Sequence, residues 1–403
     1  MMYVNRTISE NILSISNTFK VLLINGARQI GKTTLLKHLS EHNRKYVTLD
    51  NPTDLLLAKT DPKGFFDIYS PPVVIDEIQY APELFPYIKM IADNTQETGL
   101  IWLTGSQQYN MMQGVSESLA GRVAIIDLFG FSIYETEQMA SEQKPFSPVN
   151  KPMNILKSKN VSDTFKIIWQ GSFPAVINLD ATTRRTFYDS YIRTYIERDV
   201  RQIINIGNEV AFITFMKVIA ARTAQQLNIE DIARNVGIAT GTVRNWLSVL
   251  KTSGLVYMLQ PYFKNTTKRL TKTPKLYFVD SGLAAHLAGW TTPEALETGI
   301  SAGAFFETFV VAEILKSYYH NGETPQLYFY RDDKGKEIDL LIYQNGKYYP
   351  IEIKKHSTPS LSDISAFNIL AKTEELGEGC EICLTNEVQP LLPSVNAISI
   401  WNI

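Results

Sequence analysis

The chain has 403 residues, too many for one ordinary domain, and its length predicts two to four domains. Hydrophobic residues make up 44% and charged residues 20%, a balance typical of soluble globular proteins. The formal net charge of −2 is too small for overall charge to indicate a nucleic-acid or membrane partner, although a local patch can still bind one.

Further exclusions come from apolar runs and cysteines. No apolar run approaches the roughly 18 residues of a membrane span, and the N-terminal stretch lacks the basic and apolar segments of a secretory signal. Cys380 and Cys383 form a single C-x-x-C without two further zinc ligands nearby. We interpret them as reduced thiols along a C-terminal strand and predict a cytoplasmic protein.

The first motif is a phosphate-binding loop between a strand and a helix. An apolar run over residues 21–24 precedes a stretch that fits G-x-x-x-x-G-K-[ST] at every required position. Glycines let backbone N–H groups turn around phosphate oxygens, and the helix N-terminus adds partial positive charge. Lys32 would reach the β- and γ-phosphates, and the Thr33 hydroxyl would bind Mg²⁺. The predicted nucleotide-binding residues are Gly26, Ala27, Arg28, Gln29, Ile30, Gly31, Lys32, Thr33 and Thr34.

A second motif ends the apolar strand over residues 73–75 with Asp76 and Glu77. An acid at the carboxyl end of such a strand can hold Mg²⁺ through water, and the next acid can polarise the attacking water. We assign these roles to Asp76 and Glu77 respectively. The alternative is an acidic pair that only caps the following helix.

Two more positions suit a phosphate site. Thr104 and Ser106 end a third apolar strand, where a polar residue would sense the γ-phosphate; the alternative is a plain Gly-Ser turn. Arg122 precedes another apolar strand, from which it would reach the γ-phosphate of a neighbouring subunit and stabilise transition-state charge. The alternative for Arg122 is a surface ion pair, and its action in trans would require an oligomer.

These motifs resemble the core of an AAA+-type ATPase. The forms GARQIGKTT, VVIDEIQ, LTGSQQ and SLAGR are similar to those of bacterial and archaeal ATP-binding proteins with a C-terminal DUF4143 region, and the resemblance covers nearly the whole chain. It implies Mg²⁺-dependent ATP hydrolysis. It also marks YIERDV as characteristic, where Arg198 would contact nucleotide or form a helix salt bridge.

The middle of the chain predicts a loop, a helical lid and a winged helix. A polar stretch over 141–159 is typical of a linker, and residues from about 161 to 205 have a helical pattern. Further on, Gly237 separates two short helices, Thr240 caps the second, and a strand follows Gly254. Exposed positions of the second helix would include Thr242, Arg244, Asn245 and Lys251. A ribbon would offer DNA phosphates five bases, with protein contact as the alternative: Lys264, Lys268, Arg269, Lys272 and Lys275.

The C-terminal region predicts an amphipathic helix containing Glu307, a strand, and a hairpin that turns at residues 344–347. Strand alternation places Asp339 with Leu341 and Glu337 on one face, opposite Ile338, Leu340 and Ile342. On the second strand, Glu352 and Lys354 share a face. Asp339 and Glu352 would hold Mg²⁺, Glu307 would add an acidic contact, and Lys354 would orient or help deprotonate the attacking water. This resembles the PD-(D/E)XK nuclease fold, with Ile338 where a Pro can precede the Asp.

The combined prediction is an α/β fold with a P-loop parallel sheet, a winged helix and a nuclease-like domain in series. We divide the chain into an ATPase core (1–140), a linker and lid (141–205), a winged helix (206–290) and a nuclease-like domain (291–403). The predicted function is ATP hydrolysis coupled to DNA binding or processing. The alternative is a nucleotide-dependent switch that binds DNA or protein without cleaving nucleic acid. The predicted cofactors are ATP and Mg²⁺.

Overall fold

A computed structural model describes residues 3–40, 42–105, 119–148, 156–195, 209–263 and 273–403. The strands are numbered in chain order: β1 Val21–Asn25, β2 Lys45–Thr48, β3 Val73–Asp76, β4 Ile101–Gly105, β5 Val123–Asp127, β6 Gln225–Gln226, β7 Val256–Pro261, β8 Lys275–Phe278, β9 Leu327–Arg331, β10 Glu337–Gln344, β11 Lys347–Ile353, β12 Gly379–Cys383, β13 Gln389–Leu392 and β14 Val395–Ser399.

The α-helices of the described residues are numbered in the same way: α1 Ser9–Ser16, α2 Lys32–Leu39, α3 Pro52–Thr60, α4 Pro62–Ile68, α5 Phe85–Asp93, α6 Ile133–Thr136, α7 Val161–Gln170, α8 Ala181–Tyr195, α9 Glu209–Ala220, α10 Ile229–Val236, α11 Thr240–Thr252, α12 Ser281–Leu287, α13 Pro293–Thr298, α14 Ala302–Tyr319 and α15 Phe367–Leu370. Within this part of the chain, no helix has the length and apolar character needed to cross a membrane.

The N-terminal part builds a five-stranded parallel sheet in the order β2-β3-β4-β1-β5. Both faces are covered, because alternate residues of β1 enter different core clusters: Val21 and Leu23 on one side, Leu22 and Ile24 on the other. Continuous apolar runs are what a parallel sheet buried on both faces requires. The predicted α/β fold with a parallel P-loop core is therefore confirmed.

The helices of the middle region follow the predicted pattern with two differences. The region predicted as helical from about 161 to 205 contains α7 and α8, separated by residues 171–180. Residues 196–205 of that region, with Arg198, lie outside the described residues. The pair α10 and α11 is separated at Gly237, whose φ of 77° suits glycine at a helix C-terminus. Thr240 was predicted to cap α11 but is instead its first residue; Ala239 holds the cap position and makes no side-chain cap bond.

A second, nine-stranded sheet has the order β13-β14-β12-β11-β10-β9-β7-β8-β6. The predicted wing strands β7 and β8 pair antiparallel, and β7 also pairs parallel with β9 through Gln260 and Tyr328. The wing and the C-terminal region therefore share one continuous sheet. The predicted boundary at residue 290 falls between elements of that sheet.

Helix α14 joins this sheet to the ATPase core. It was predicted to be amphipathic, but nearly every side chain after Ala304 is buried, so it is an internal helix enclosed on all sides. Glu313 accepts the Ile133 N–H at 2.9 Å, and Lys316 donates to the Phe131 carbonyl at 2.9 Å. One large apolar cluster contains α14 together with residues of both sheets. Helix α14 thus packs against both halves of the molecule.

Candidate functional site

The loop between β1 and α2 has the backbone of a phosphate cradle. Gly26 has a φ of 145°, and a Cβ there would meet the Leu128 carbonyl oxygen at 2.2 Å. Gly31 has a φ of 94° immediately before α2. These two positions need glycine because a side chain would collide or adopt a left-handed conformation that L-residues rarely take. The sequence spacing is therefore explained by backbone geometry.

Lys32 lies inside this loop. Its side chain is only 6% exposed, and Nζ donates to the Gly26 carbonyl at 2.9 Å and the Ala27 carbonyl at 2.8 Å. A buried ammonium held inside the loop can meet a phosphate without first shedding much water. Its position is suited to the predicted contact with β- and γ-phosphates.

Asp76 is the centre of a hydrogen-bonded group at the carboxyl ends of three neighbouring strands and the start of α2. Its Oδ1 accepts from the Thr33 hydroxyl at 2.8 Å and also from the Thr104 hydroxyl, and its Oδ2 accepts from the Tyr46 hydroxyl at 2.9 Å. Thr104 meets Asp76 because β4 lies between β1 and β3. The sequence did not indicate Tyr46, which lies on β2 beside β3. Burial, followed by the nearby Asp76 carboxylate, raises the pKa of the Tyr46 hydroxyl.

This group fits a magnesium ion. The Thr33 hydroxyl and the Asp76 carboxylate are hard oxygen donors, and they already lie within hydrogen-bond distance of each other. Asp76 is 6% exposed, so a cation here would have little bulk water around it and would be attracted strongly by the carboxylate. The predicted ligands Thr33 and Asp76 are therefore brought together.

Glu77 follows Asp76 with a left-handed φ of 59°, which is uncommon for a residue with a side chain. Its N–H donates to the Thr104 hydroxyl at 3.2 Å, and the Gln79 amide donates to its carboxylate. The capping alternative is not what the structure shows, because Glu77 makes no side-chain cap bond to the short helix Ile78–Tyr80. Gln79 orients this carboxylate and was missed because nothing in its local pattern marks it.

Two other predicted residues are not part of the described group. Ser106 is outside the described residues. Arg122 precedes β5 at the amino edge of the parallel sheet, where Val21 pairs with Val123, whereas the phosphate loop leaves the carboxyl edge. There Arg122 forms a surface ion pair with Asp93, with Nη2 to Oδ2 at 3.2 Å. Within one chain, Arg122 therefore takes its alternative role, and action in trans stays a prediction.

A cavity of about 360 Å³ adjoins the loop and has the size of a small-ligand site. Gly26 and Ala27 line one side. Leu255 and Tyr257, from the segment after α11, line the other. The turn at Gly254 packs against the loop, since a Cβ there would be in van der Waals contact with the Ala27 nitrogen, at 3.5 Å. An occupant would therefore touch the ATPase core and the predicted winged helix together.

The predicted metal ligands of the C-terminal region meet lysines. Lys275 Nζ lies 3.0 Å from a Glu307 oxygen and 3.6 Å from Asp339 Oδ1, and it also pairs with Glu337. Lys354 Nζ lies 3.4 Å from Asp339 Oδ2 and pairs with Glu352. Ammonium groups thus lie between the carboxylates that were predicted to share a cation.

Asp339 sits where the β10–β11 ladder ends. Strand pairing runs from Gln344 and Lys347 to Leu340 and Ile351, after an Asn-Gly turn with positive φ at both positions. Beyond the last pair, Asp339 Oδ2 accepts the Ile353 N–H at 3.0 Å in place of a backbone carbonyl. This contact fixes Asp339 at the point where the two strands separate.

The predicted alternation along β10 is wrong after Asp339. A β-bulge between Ile338 and Leu341 shifts the register. Leu340 and Ile342 pack in the cluster that contains α14, whereas Ile338 and Leu341 pack in a separate cluster on the other face. A bulge adds one residue to the strand, so it reverses every later assignment of faces.

The sheet also separates Glu307 from Glu352. Ile351 and Ile353 pack in the α14 cluster, so Glu352 between them points to the opposite face. Glu307 belongs to α14, and its carboxylate accepts from Lys275 Nζ at 3.0 Å and from the Tyr277 hydroxyl at 2.6 Å. The Glu307 carboxylate is therefore linked to Asp339 by Lys275, which contacts both residues. A metal ion between Asp339 and Glu352 remains a prediction.

Burial makes these carboxylates weak acids. Burial, followed by repulsion from Asp339, raises the pKa of Glu307 to about 7 and that of Glu352 to about 9. Burial lowers the pKa of Lys354, but the Asp339 and Glu352 carboxylates outweigh it and the net shift is upward. The two glutamates thus favour the neutral form more than exposed acids do, and Lys275 and Lys354 are the cations beside them.

The structure describes one of the five basic residues of the predicted DNA-binding ribbon, Lys275. Lys264, Lys268, Arg269 and Lys272 lie outside the described residues. The prediction for Lys275 is wrong, because its side chain is 4% exposed and is held by carboxylates. On α11, Arg244, Asn245 and Lys251 are exposed and Thr242 is half-buried.

Cys380 and Cys383 are free, buried thiols of β12, in agreement with their interpretation.

Comparison with protein families covers most of the chain. Residues 18–137 match a family described as AAA domain, and residues 302–403 match a domain of unknown function (DUF4143). Between them, residues 161–294 match another domain of unknown function (DUF8612), which spans the predicted lid and winged helix.

Similar proteins occur in bacteria and archaea. Uncharacterized protein Rv2008c of Mycobacterium tuberculosis is 30% identical over 347 residues, which cover 85% of this chain and 72% of that protein. Uncharacterized protein MJ1637 of Methanocaldococcus jannaschii is 24% identical over 293 residues, covering 64% of this chain and 60% of its own. Among solved structures, a RuvB variant of Thermotoga maritima matches with a TM-score of 0.30 and 17% identity, covering 66% of this chain and 91% of its own. Given the identity to Rv2008c and the matches at both ends, the chain belongs to the DUF4143-containing family of AAA-type ATP-binding proteins.

Proposed function

We propose that this AAA-type ATPase hydrolyses ATP at the junction of the phosphate loop, Asp76 and Thr104, and that the nucleotide state alters the contact between the two sheets. The observation that carries the first part is the hydrogen-bonded group of Thr33, Asp76 and Thr104 beside the buried Lys32. It combines hard oxygen donors, a buried cation and a polar residue at one edge of a parallel sheet, which is what phosphoryl transfer to water needs.

Each residue has a role that follows from its position. Lys32 would neutralise charge on the β- and γ-phosphates, and loop amides from Gly26 to Thr34 would surround the phosphate oxygens. Bound Mg²⁺ would supply further positive charge, held through Thr33 and Asp76. Glu77, oriented by Gln79, would draw a proton from the attacking water. Thr104 is hydrogen-bonded to both Asp76 and Glu77, so a γ-phosphate that shifts Thr104 would shift these two residues as well.

The test of the site uses Lys32→Ala. We expect ATP turnover to fall by about 100-fold or more, because a buried positive charge that stabilises the transition state is lost. Lys63→Ala removes an exposed lysine of α4 by the same substitution and serves as the control. Wild-type turnover in Lys32→Ala would contradict the assignment.

A second variant separates binding from chemistry. We expect Glu77→Gln to bind ATP as wild type does while its turnover falls by about 10²–10⁴-fold, because the amide keeps the size of the side chain but is not a base. Fluorescent nucleotide binding and phosphate release, measured on the same sample, distinguish the two effects. Equal losses of binding and turnover would assign Glu77 to nucleotide binding instead.

The coupling to the second sheet is supported by the cavity. Its lining includes Ala27 of the phosphate loop and Tyr257 of β7, and β7 belongs to the nine-stranded sheet. Lys32, Thr33 and Asp76 are not among the described residues that line the cavity, so the part of the nucleotide beyond its phosphates is what would enter it. That part would change packing on both sides as it enters or leaves, which gives the nucleotide the differential contacts that a switch requires. The predicted output, a DNA or protein partner bound through the exposed face of α11, belongs to this same proposal.

Nucleic-acid cleavage at Asp339, Glu352 and Lys354 is a second candidate function. It is favoured by Lys354, which contacts both carboxylates as a D…ExK arrangement would require. A divalent ion would have to displace that ammonium group, so the non-cleaving switch is the better supported interpretation.

The cleavage assay offers single- and double-stranded DNA and RNA with Mg²⁺ or Mn²⁺, with and without ATP. Cleavage that Asp339→Ala abolishes would establish the nuclease and exclude the non-cleaving interpretation. Asp333→Ala, in the exposed turn between β9 and β10, is the matched control. If every substrate stays intact under every condition, the non-cleaving switch is the interpretation that remains.

A further inference from the structure

A second group of metal-ligand side chains lies in the C-terminal region, apart from the predicted nuclease residues. His356, Asp363 and Glu381 each place one donor atom within 4.8 Å of the other two. His356 Nε2 is 3.2 Å from Asp363 Oδ2 and 3.8 Å from Glu381 Oε1. The three residues come from the segment after β11, the short helix Asp363–Ala366 and strand β12.

Glu381 is the residue that needs an explanation. It pairs with Glu352 of β11 on one side and Ala397 of β14 on the other, so β12 holds it within the sheet. Its side chain is fully buried, and neither carboxylate oxygen has a hydrogen-bond partner of good geometry among the described residues. The Ser360 N–H and the Cys383 thiol are the polar groups that interact with it, and both are neutral, so neither balances a carboxylate charge. A buried carboxylate without a well-formed hydrogen bond or a cation in direct contact is costly, and buried charges are normally paired or bound to metals.

The spacing of the donor atoms suits one ion. Metal bonds of about 2.1 Å at tetrahedral angles place ligand atoms about 3.4 Å apart. The two separations from His356 Nε2, 3.2 and 3.8 Å, lie on either side of that value, and the three donor atoms all lie within 4.8 Å of one another. The backbone holds the group in place, because the Leu384 N–H donates to the His356 carbonyl and the Asp363 N–H to the Ser360 carbonyl, both at 3.0 Å.

The donor set also indicates the class of metal. An imidazole nitrogen favours zinc and other transition metals, whereas Mg²⁺ prefers oxygen ligands alone. The His356 side chain is 40% exposed, so solvent reaches the group from one side. Three protein ligands with an open side leave at least one coordination position for water.

We propose that His356, Asp363 and Glu381 bind one divalent transition-metal ion, Zn²⁺ or Mn²⁺, at a site on the Glu352 face of the second sheet. The ion supplies the Glu381 carboxylate with a positive charge in direct contact, whereas His356 lies 3.8 Å from it. It also ties the helix Asp363–Ala366 to strands β11 and β12. The competing explanation is a surface ion pair of His356 with Asp363 above a neutral Glu381.

The experiment titrates the chelator-treated full chain, without nucleotide, with Zn²⁺ or Mn²⁺ alone. We expect one tightly bound equivalent, and binding weakened by more than about 10–100-fold in His356→Ala and in Glu381→Gln. His356 is at the surface, so its substitution leaves the fold intact, and Glu381→Gln keeps the side-chain volume. In electron spin-echo spectra of bound Mn²⁺, the nitrogen coupling of a histidine ligand should be present in wild type and absent in His356→Ala.

Asp333→Asn removes an exposed carboxylate between β9 and β10 and is the matched control, which should leave this binding unchanged. Asp339→Asn asks instead whether the neighbouring cluster holds the ion. Three results would each overturn the proposal. The first is a wild-type chain that binds neither Zn²⁺ nor Mn²⁺ stoichiometrically. The second is unchanged affinity in both His356→Ala and Glu381→Gln. The third is binding that Asp339→Asn abolishes, since that would assign the ion to the other cluster.

Discussion

Lys32 and Lys275 are both lysines with almost no exposed surface, yet their surroundings give them different roles. Lys32 donates to two backbone carbonyls of the loop that would surround phosphate. Lys275 pairs with the carboxylates of Glu307, Glu337 and Asp339. A lysine held by neutral carbonyls keeps its positive charge available for an anionic ligand, whereas one enclosed by acids stabilises the fold.

Lys275→Met tests this structural role. The substitution keeps the length of the side chain but leaves buried carboxylates without their cation, which costs about 3–5 kcal/mol in comparable buried pairs. We expect the free energy of unfolding, measured by urea denaturation, to fall by that amount. Lys347→Met removes the lysine of an exposed pair with Glu375 and should leave unfolding unchanged. Equal stability of Lys275→Met and wild type would show that the carboxylates need no ammonium.

At the scale of elements, α14 connects the two sheets through polar contacts at its C-terminal half. Glu313 and Lys316 bind the backbone near residues 131–133, and His320, just after the helix, reaches a buried pair of Arg6 and Glu135. His320 Nδ1 lies 3.3 Å from the Glu135 oxygen that Arg6 Nε also approaches, at 3.0 Å. The end of one helix thus shares a carboxylate with the N-terminal segment.

This contact predicts a dependence of stability on pH. Burial lowers the pKa of His320 to about 3 despite the attraction of Glu135, whereas an unfolded histidine titrates near about 6.5. Below pH ~6.5 the unfolded chain therefore takes up a proton that the folded chain refuses. The stability contribution is complete above that pH and is lost progressively as the pH falls toward 3, by about 2 kcal/mol at pH 5.

The measurement compares the free energy of unfolding at pH 7 and pH 5. Wild type should lose about 2 kcal/mol more than His320→Gln between these values, because glutamine does not titrate. His42→Gln, an exposed histidine, should follow wild type. An identical loss in wild type and His320→Gln would mean that His320 is not the group responsible.

At the scale of the whole molecule, the two sheets meet at the cavity beside the phosphate loop. The Gly254 turn approaches Ala27, and strand β7 continues into the C-terminal sheet through β9. Nucleotide binding therefore has a short physical route from the loop to the second sheet. The route consists of packed backbone and apolar side chains.

Hydrogen exchange tests this route. With Mg²⁺ and a non-hydrolysable ATP analogue, we expect slower amide exchange in residues 26–34 and also in β7, because the occupied cavity restrains both walls. Lys32→Ala should lose both effects, and Lys63→Ala should keep them. Protection confined to residues 26–34 would show that nucleotide binding is not transmitted to the second sheet.

The sequence alone predicts the features that depend only on residues adjacent in the chain. The glycines at 26 and 31, the Asn-Gly turn and the Gly237 break are local backbone requirements, so a short pattern indicates them. The parallel sheet could also be predicted, because continuous apolar runs between helices suit few other folds. The assignment of Asp76 to the carboxyl end of a buried strand follows from the same local pattern.

Tertiary structure alone decided which distant side chains meet. The burial of Lys275 depends on α14 and β10, the face of Leu341 depends on a bulge, and Tyr46 reaches Asp76 through strand order. His356, Asp363 and Glu381 converge only because β11 and β12 pair in parallel with a helix packed beside them. Local patterns determine backbone conformation through short-range sterics. Contacts between distant residues depend on packing and register, and a shift of one residue changes them without changing the local pattern.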